Sequence, residues 1–163
     1  MITFNYLENK RMLLISSDHS ITNNSKIIES SSHPVQFKDS IALISPYEWE
    51  CQGEVYLIKT NEGFELLKLP IPLMDDESIK AIAWVDEFNL LLIIGSLWGT
   101  VNIGGDLYSF NIKNNERKLL KTFPLDIQVT DISIEDRNIT LKGIKYTDKE
   151  FNHSMVFIDN VII

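Results

Sequence analysis

The chain is poor in alanine, cysteine and positive charge. Only 3 of its 163 residues are alanine. Alanine is the strongest helix former, so a helix bundle is not expected. The single cysteine, Cys51, allows neither an internal disulfide nor a thiolate zinc cage; it reads as a partly buried thiol. Lys and Arg number 15 against 23 Asp and Glu, a formal charge of −8. Nucleic-acid binding needs clustered cations, and the densest basic stretch is Arg117-Lys118, with Lys113 and Lys121 nearby. Nucleic acid and anionic membrane surfaces are therefore not expected partners. No apolar run approaches the roughly 18 residues of a membrane helix, so membrane insertion is not expected either. Glu8, Lys10 and Arg11 break up the first apolar residues before a signal-peptide core can form. The chain reads as cytoplasmic, with the soluble part of a longer anchored protein as the alternative.

Isoleucine is what the sequence has in abundance, with 23 residues. Isoleucine favours pleated, half-buried surfaces. Four segments repeat one pattern: a short alternating strand, an acidic turn and a second apolar strand. They begin at Thr3, Pro34, Ala81 and Thr130, and their turns carry Glu8, Asp39, Asp86 and Asp136. Further strand pairs are expected after them. One runs from 54–59 through Asn61-Glu62-Gly63 into 64–69, and another from 106–112 through 113–116 into 117–123. A third runs from 154–158 through Asp159-Asn160 into 161–163. The first unit offers only weak further strands, near 20–22 and 26–29.

About four antiparallel strands per unit, recurring at roughly 40 residues, is the pattern of propeller blades. The expected fold is therefore all-β, with antiparallel four-stranded blade repeats. It would form a small or incomplete β-propeller of three to four blades in a single domain. The units are about 1–32, 33–73, 79–124 and 129–163. A twisted β-sandwich is the alternative. Two motifs sharpen this: Ser45-Pro46-Tyr47-Glu48-Trp49-Glu50, and Gly99-Thr100-Val101-Asn102-Ile103-Gly104-Gly105-Asp106-Leu107-Tyr108. On these motifs the chain, over residues of about 34–125, resembles a family of bacterial β-propeller-like, blade-repeat domains of unknown function. The resemblance implies a fold class and no activity.

The long loops are the candidate functional segments: 16–24, 45–53, 95–105 and 147–153. In a four-stranded blade they share one end with the links between units. All three histidines, His19, His33 and His153, map to that end. Glu48, Glu50, Asp18, Asp148 and Glu150 lie in the same loops. No His-x-x-His or Glu-x-x-His spacing pre-arranges a metal site, so no metal or other cofactor is expected. Trp49 and Trp98 each sit in such a loop. Trp49 between Glu48 and Glu50 suits an exposed stacking platform for a sugar, a cation or a peptide. The alternative is that each indole plugs the end of a core. Trp84 lies on an alternating strand and is assigned to the core. Thr100 and Asn102 are candidate hydrogen-bonding groups. Gly104-Gly105 is read as a sharp turn with positive φ, and not as a phosphate loop, which needs a following Lys-Ser/Thr and a helix.

No nucleophile motif and no paired catalytic carboxylates stand out, so no catalytic residue is expected. The first expectation for function is a non-catalytic binding module. It would recognise a protein, peptide or glycan through Trp49, Trp98, Glu48, Glu50, Thr100, Asn102, His19 and His153. The second is a small acidic inhibitor or immunity-type protein steered to a basic partner by the −8 charge. A metal-dependent hydrolase ranks below both. Exposed strand edges at the ends of the repeat series invite homodimerisation.

Overall fold

The computed structural model of the chain describes residues 2–17, 25–61, 65–136 and 138–162. Among these, one 3-10 turn, Glu8–Lys10, is the sole helical element. The rest of the regular structure is 14 strands in four antiparallel sheets. Sheet I joins β1 (Ile2–Leu7), β2 (Met12–Ser17) and β3 (Ser25–Ile28) in chain order. Sheet II joins β4 (Val35–Phe37), β5 (Ser40–Ser45), β6 (Glu54–Lys59) and β7 (Leu66–Lys68). Sheet III joins β8 (Glu77–Trp84), β9 (Asn89–Ser96), β10 (Asp106–Asn111) and β11 (Glu116–Lys121). Sheet IV joins β12 (Ile127–Glu135), β13 (Asn138–Tyr146) and β14 (Ser154–Ile162).

The chain divides into two compact units, Met1–Pro70 and Ile71–Ile163, each holding two sheets. In the first, Leu13, Ile15 and Ile28 of sheet I pack with Ile41, Leu43 and Ile58 of sheet II. In the second, Ala83, Leu91, Ile93 and Leu107 of sheet III pack with Val129, Ile132, Ile139 and Leu141 of sheet IV. Period-two alternation supplies these apolar faces. The middle strands β5 and β9 are instead continuous apolar runs, buried on both sides.

Three expectations change. The hairpin expected at Asp159-Asn160 is absent, because β14 runs straight through both residues and pairs with β13 along its whole length. The nine-residue β13 offers a partner at each position. Thr140 Oγ1 also donates to Asn160 Oδ1 at 3.1 Å, holding the turn-forming residue in the ladder. In sheet I, β3 covers 25–28, while residues 20–22 lie outside the described ones. Among the described residues, sheets I and IV have three strands each. Gly104 and Gly105 do not turn through positive φ; among the described glycines, Gly53 and Gly99 do. They are glycine because backbones meet there. A Cβ on Gly105 would lie 2.2 Å from the Ile94 carbonyl oxygen, and one on Gly104 2.5 Å from Val129 N.

The odd strand number of sheet I has a directional consequence. A four-stranded antiparallel sheet returns the chain to the end where it entered, and a three-stranded one delivers it to the opposite end. The Glu8–Arg11 turn, the 29–34 link and the 46–53 loop therefore gather at one end of the first unit. Ser31 N donates to Arg11 O at 2.8 Å, Ser32 N to Ile44 O at 2.9 Å and Tyr47 N to Ser30 O at 2.6 Å. β2 runs away from this end. In the second unit, the 97–105 and 147–153 loops and the 122–126 link share one end, as the repeat pattern implies.

Phe110 is fully buried, so Phe110→Ala is expected to cost about 3–5 kcal/mol of stability by chemical denaturation. Gly105→Ala forces a backbone shift and is expected to cost about 1–3 kcal/mol. Serine at the solvent-open Gly99 position has no steric barrier but must hold φ +106°, so it tests conformation without packing.

Candidate functional site

In the first unit the 46–53 loop is tied down through its start. Arg11 Nη1 donates to Tyr47 O at 3.0 Å, and the guanidinium lies 5.9 Å from the centre of the Tyr47 ring. Ser30 Oγ donates to Glu48 Oε1 at 2.5 Å. Glu48 O accepts from Cys51 N at 3.4 Å, which places Trp49 and Glu50 at the centre of a four-residue turn. Glu50 holds φ +59°, a left-handed conformation that costs a non-glycine residue roughly 1–2 kcal/mol. This turn holds the Trp49 indole outward, 61% exposed. Nearby, Tyr6 donates to Ser31 O at 2.8 Å and meets the His33 ring edge-on at 5.0 Å. Burial pushes the Tyr6 phenol up from its ordinary value. His33 Nδ1 lies 3.0 Å from Pro34 O, so this nitrogen carries the proton. His33 itself is exposed.

In the second unit the 97–105 loop is fixed at three points. Ser96 Oγ donates to Trp98 O at 2.8 Å and accepts from Trp98 N at 3.2 Å. Tyr146 Oη donates to Val101 O at 3.0 Å. Gly104 N donates to Gln128 Oε1 at 2.9 Å, while Gln128 Nε2 donates to Leu125 O at 2.8 Å. Trp98 stands 56% exposed on this support, while Trp84 is 7% exposed in the core.

Between this loop and the 122–126 link lies a pocket of about 210 Å³, lined among others by Ser96, Asn102, Asp106, Phe123, Leu125 and Gln128. Its volume is below the roughly 300 Å³ at which small-molecule sites usually begin, so it suits one side chain or one sugar ring. Asp106 Oδ1 accepts from Phe123 N at 2.9 Å. Asp106 and Gln128 were not among the residues singled out from the sequence. Gln128 is visible only once its burial inside β12 is known.

The 147–153 loop is organised by one carboxylate. Asp148 accepts from the backbone N of Glu150 (3.0 Å), Asn152 (3.1 Å) and His153 (2.6 Å), and lies 3.1 Å from His153 Nδ1. The Asn152 amide leads in holding the Asp148 carboxyl below its ordinary range, joined by the His153 and Glu150 donors and opposed by burial. Phe151 has φ +57° and packs edge-on against Tyr146 at 5.0 Å, which links this loop to the 97–105 loop. At the opposite end of sheet III, burial pushes the Asp86 carboxyl up. The Phe88 and Asn89 donors outweigh it and hold the group low.

The candidate residues thus fall in two places. Glu48, Trp49 and Glu50 share the first unit's turn; Trp98, Thr100, Asn102 and His153 belong to linked loops of the second. His19 and Asp18 lie outside the described residues. No group of three or more metal-ligating side chains occurs among the described residues. No helix among them is long and apolar enough to cross a membrane.

Residues 45–162 match the family described as Domain of unknown function (DUF4652), and both sequence motifs lie inside that match. No curated protein matches the chain. Among solved structures, a candidate conserved lipoprotein of Clostridium novyi NT is similar at a TM-score of 0.67 and 21% identity, over 81% of this chain and 88% of that one. The acylaminoacyl peptidase of Pyrococcus horikoshii is similar at 0.53 and 12% identity, over 99% of this chain. An acylaminoacyl peptidase bound to Z-Gly-Gly-Phe-chloromethyl ketone gives 0.50 and 12%. The chain spans 29% of either peptidase's length. At these identities the likeness is one of fold.

Asp148→Ala is expected to speed hydrogen exchange at the Glu150, Asn152 and His153 amides by at least about tenfold, with the sheet IV ladder unchanged. The sign with pH follows from the lowered carboxyl. The stabilisation is present above the unfolded-state value of 3.8 and is lost as pH falls through the lower folded value. In wild type the three amides are expected to stay protected at pH 5 and to lose protection only at strongly acid pH.

Proposed function

The chain belongs to the DUF4652 family, and we propose that it is a non-catalytic binding module that holds a protein, peptide or glycan against the tryptophans of its long loops. The observation that carries this reading is the contrast among the three indoles. Trp84 is core, whereas Trp49 and Trp98 stand more than half exposed. An isolated exposed aliphatic side chain needs no explanation. An indole held outward on a fastened turn, with Glu50 in a costly backbone conformation beside it, fits a surface prepared in advance for a partner. Indole faces stack on sugars and on peptide side chains, and the flanking carboxylates accept hydrogen bonds from hydroxyls or ammonium groups. The pocket beside the 97–105 loop supplies a recess for one such group, with Asn102 and Asp106 in its lining.

The four sheets are read as blades of an incomplete propeller, supported by the antiparallel meander of each sheet and the face-to-face packing inside each unit. The fold likeness to a candidate lipoprotein supports placing the module in an anchored, surface-presented setting. A second reading, an acidic inhibitor of a basic protein, draws on the −8 charge.

Screening the full chain on glycan and peptide arrays, beside Trp49→Ala, Trp98→Ala and the double variant, separates these readings. The module reading expects affinity to fall at least about tenfold in one single variant, with weak salt dependence. Retained binding in the double variant would remove both tryptophan turns as sites. A steep loss of affinity from low to high salt with no effect of either tryptophan would favour the inhibitor.

A further inference from the structure

We propose that β14 is a docking edge for a second copy of this chain, which adds its own β14 antiparallel across a two-fold axis. The contrast among the last strands of the four sheets points there. β3 has four residues and carries Lys26; β7 has three, carries Lys68 and is followed by Pro70; β11 carries Arg117, Lys118 and Lys121. Short length, charge and proline are the devices that keep sheet edges from pairing. β14 is long, has no proline and carries a single charge. It runs for nine residues, Ser154–Ile162, without lysine, arginine, proline, glycine or a register shift, and pairs only with β13 among the described residues. Its one charge, Asp159, is engaged by Lys121 Nζ at 2.6 Å. Met155, Val156 and Ile158 are 58, 72 and 58% exposed.

The ladder fixes which backbone groups face outward. Thr147 N donates to His153 O at 2.9 Å, and these two residues stand opposite each other in the register that continues through β14. Hydrogen-bonded pairs alternate along an antiparallel ladder. Odd-numbered residues of β14 therefore turn their N–H and C=O groups to β13. Ser154, Val156, Ile158 and Asn160 turn theirs to the open edge, and their side chains share the exposed face of the sheet. Phe157 and Val161 pack on the core side.

A second copy is the occupant because this edge is complementary to itself. With the two-fold axis at Phe157, Val156 stands opposite Ile158 of the second copy, and Ser154 stands opposite Asn160. Apolar faces apolar, and a hydroxyl faces an amide whose Oδ1 accepts from Thr140. The pairing is of outward residues with outward residues, as the ladder requires. A register centred on Ile158 would set Val156 against Asn160 instead. The pairing uses none of the residues of the tryptophan turns, so it stands or falls independently of the binding-module reading.

Light scattering on the full chain between about 1 and 100 µM should find mass rising from the 18.8 kDa of one chain towards twice that value. Val156→Pro removes an outward N–H and leaves the β13 ladder its bonds, and Ile158→Lys places a charge on the edge; both should remain monomeric with unchanged far-UV circular dichroism. Should the proline variant fail to fold, wild type carries the test through hydrogen exchange. Raising its concentration through the transition should slow the Val156 and Ile158 amides at least about tenfold and leave the Met155 and Phe157 amides unchanged. A wild type that stays monomeric throughout, or grows into open-ended oligomers, or dimerises while its Val156 and Ile158 amides stay fast-exchanging, or a dimer that survives in Ile158→Lys, would overturn the proposal.

Discussion

The face-to-face burial of paired sheets is the constraint on which the rest depends. A single antiparallel sheet of three or four short strands has an apolar face it cannot hide alone. Sheet I hides that face against sheet II through Leu13, Ile15, Leu43 and Ile58, and sheet III against sheet IV through Leu91, Ile93, Ile139 and Leu141. These side chains are almost fully buried. Close packing also brings backbones together, and so four glycines of the second unit are fixed by contact: Gly95, Gly104, Gly105 and Gly143 would each put a Cβ into a neighbouring main chain.

Once the sheets are fixed, loop ends follow from strand parity and loop shapes from side chains that bond main-chain groups. Arg11 with Tyr47, Ser96 with Trp98, Gln128 with Gly104, and Asp148 with three amides all follow this pattern. Each replaces water as the partner of a loop's polar groups, and so holds the shape of a described connection. What they present is aromatic. An ordered indole loses little further conformational freedom when a partner arrives, and that spared cost appears as affinity.

Much of the fold was legible because alternation and turn chemistry agreed. The acidic turns before Met12, Ser40, Asn89 and Asn138 each lead into a paired strand as expected. Misreadings arose where local signals met a longer-range one. Asp159-Asn160 carries turn chemistry, yet β13 offers nine consecutive partners, and the ladder prevails. Gly104-Gly105 carries a turn signal too, but the glycines answer to Ile94 and Val129, which are distant in sequence. The three-strand parity of sheet I was hidden in the same way, since the Glu8 turn looks like its counterparts and differs only in the end to which the chain returns. At the candidate site, Trp49, Trp98 and Asn102 could be singled out from loop length and residue type. Gln128 could not, because its role comes from the Gly104 amide that packing brings to it.

The central claim is that two of the three tryptophans are presented to solvent on fastened loops while the third is core. Fluorine NMR of the full chain labelled with 5-fluorotryptophan reads this directly, through the shift of each resonance between H2O and D2O. Single Trp→Phe variants assign the three signals. The account predicts clear solvent shifts for Trp49 and Trp98, with narrow single lines from ordered loops, and none for Trp84. Solvent shifts at Trp49 and Trp98 as small as that of Trp84 would mean that the indoles plug the core, and would contradict the account.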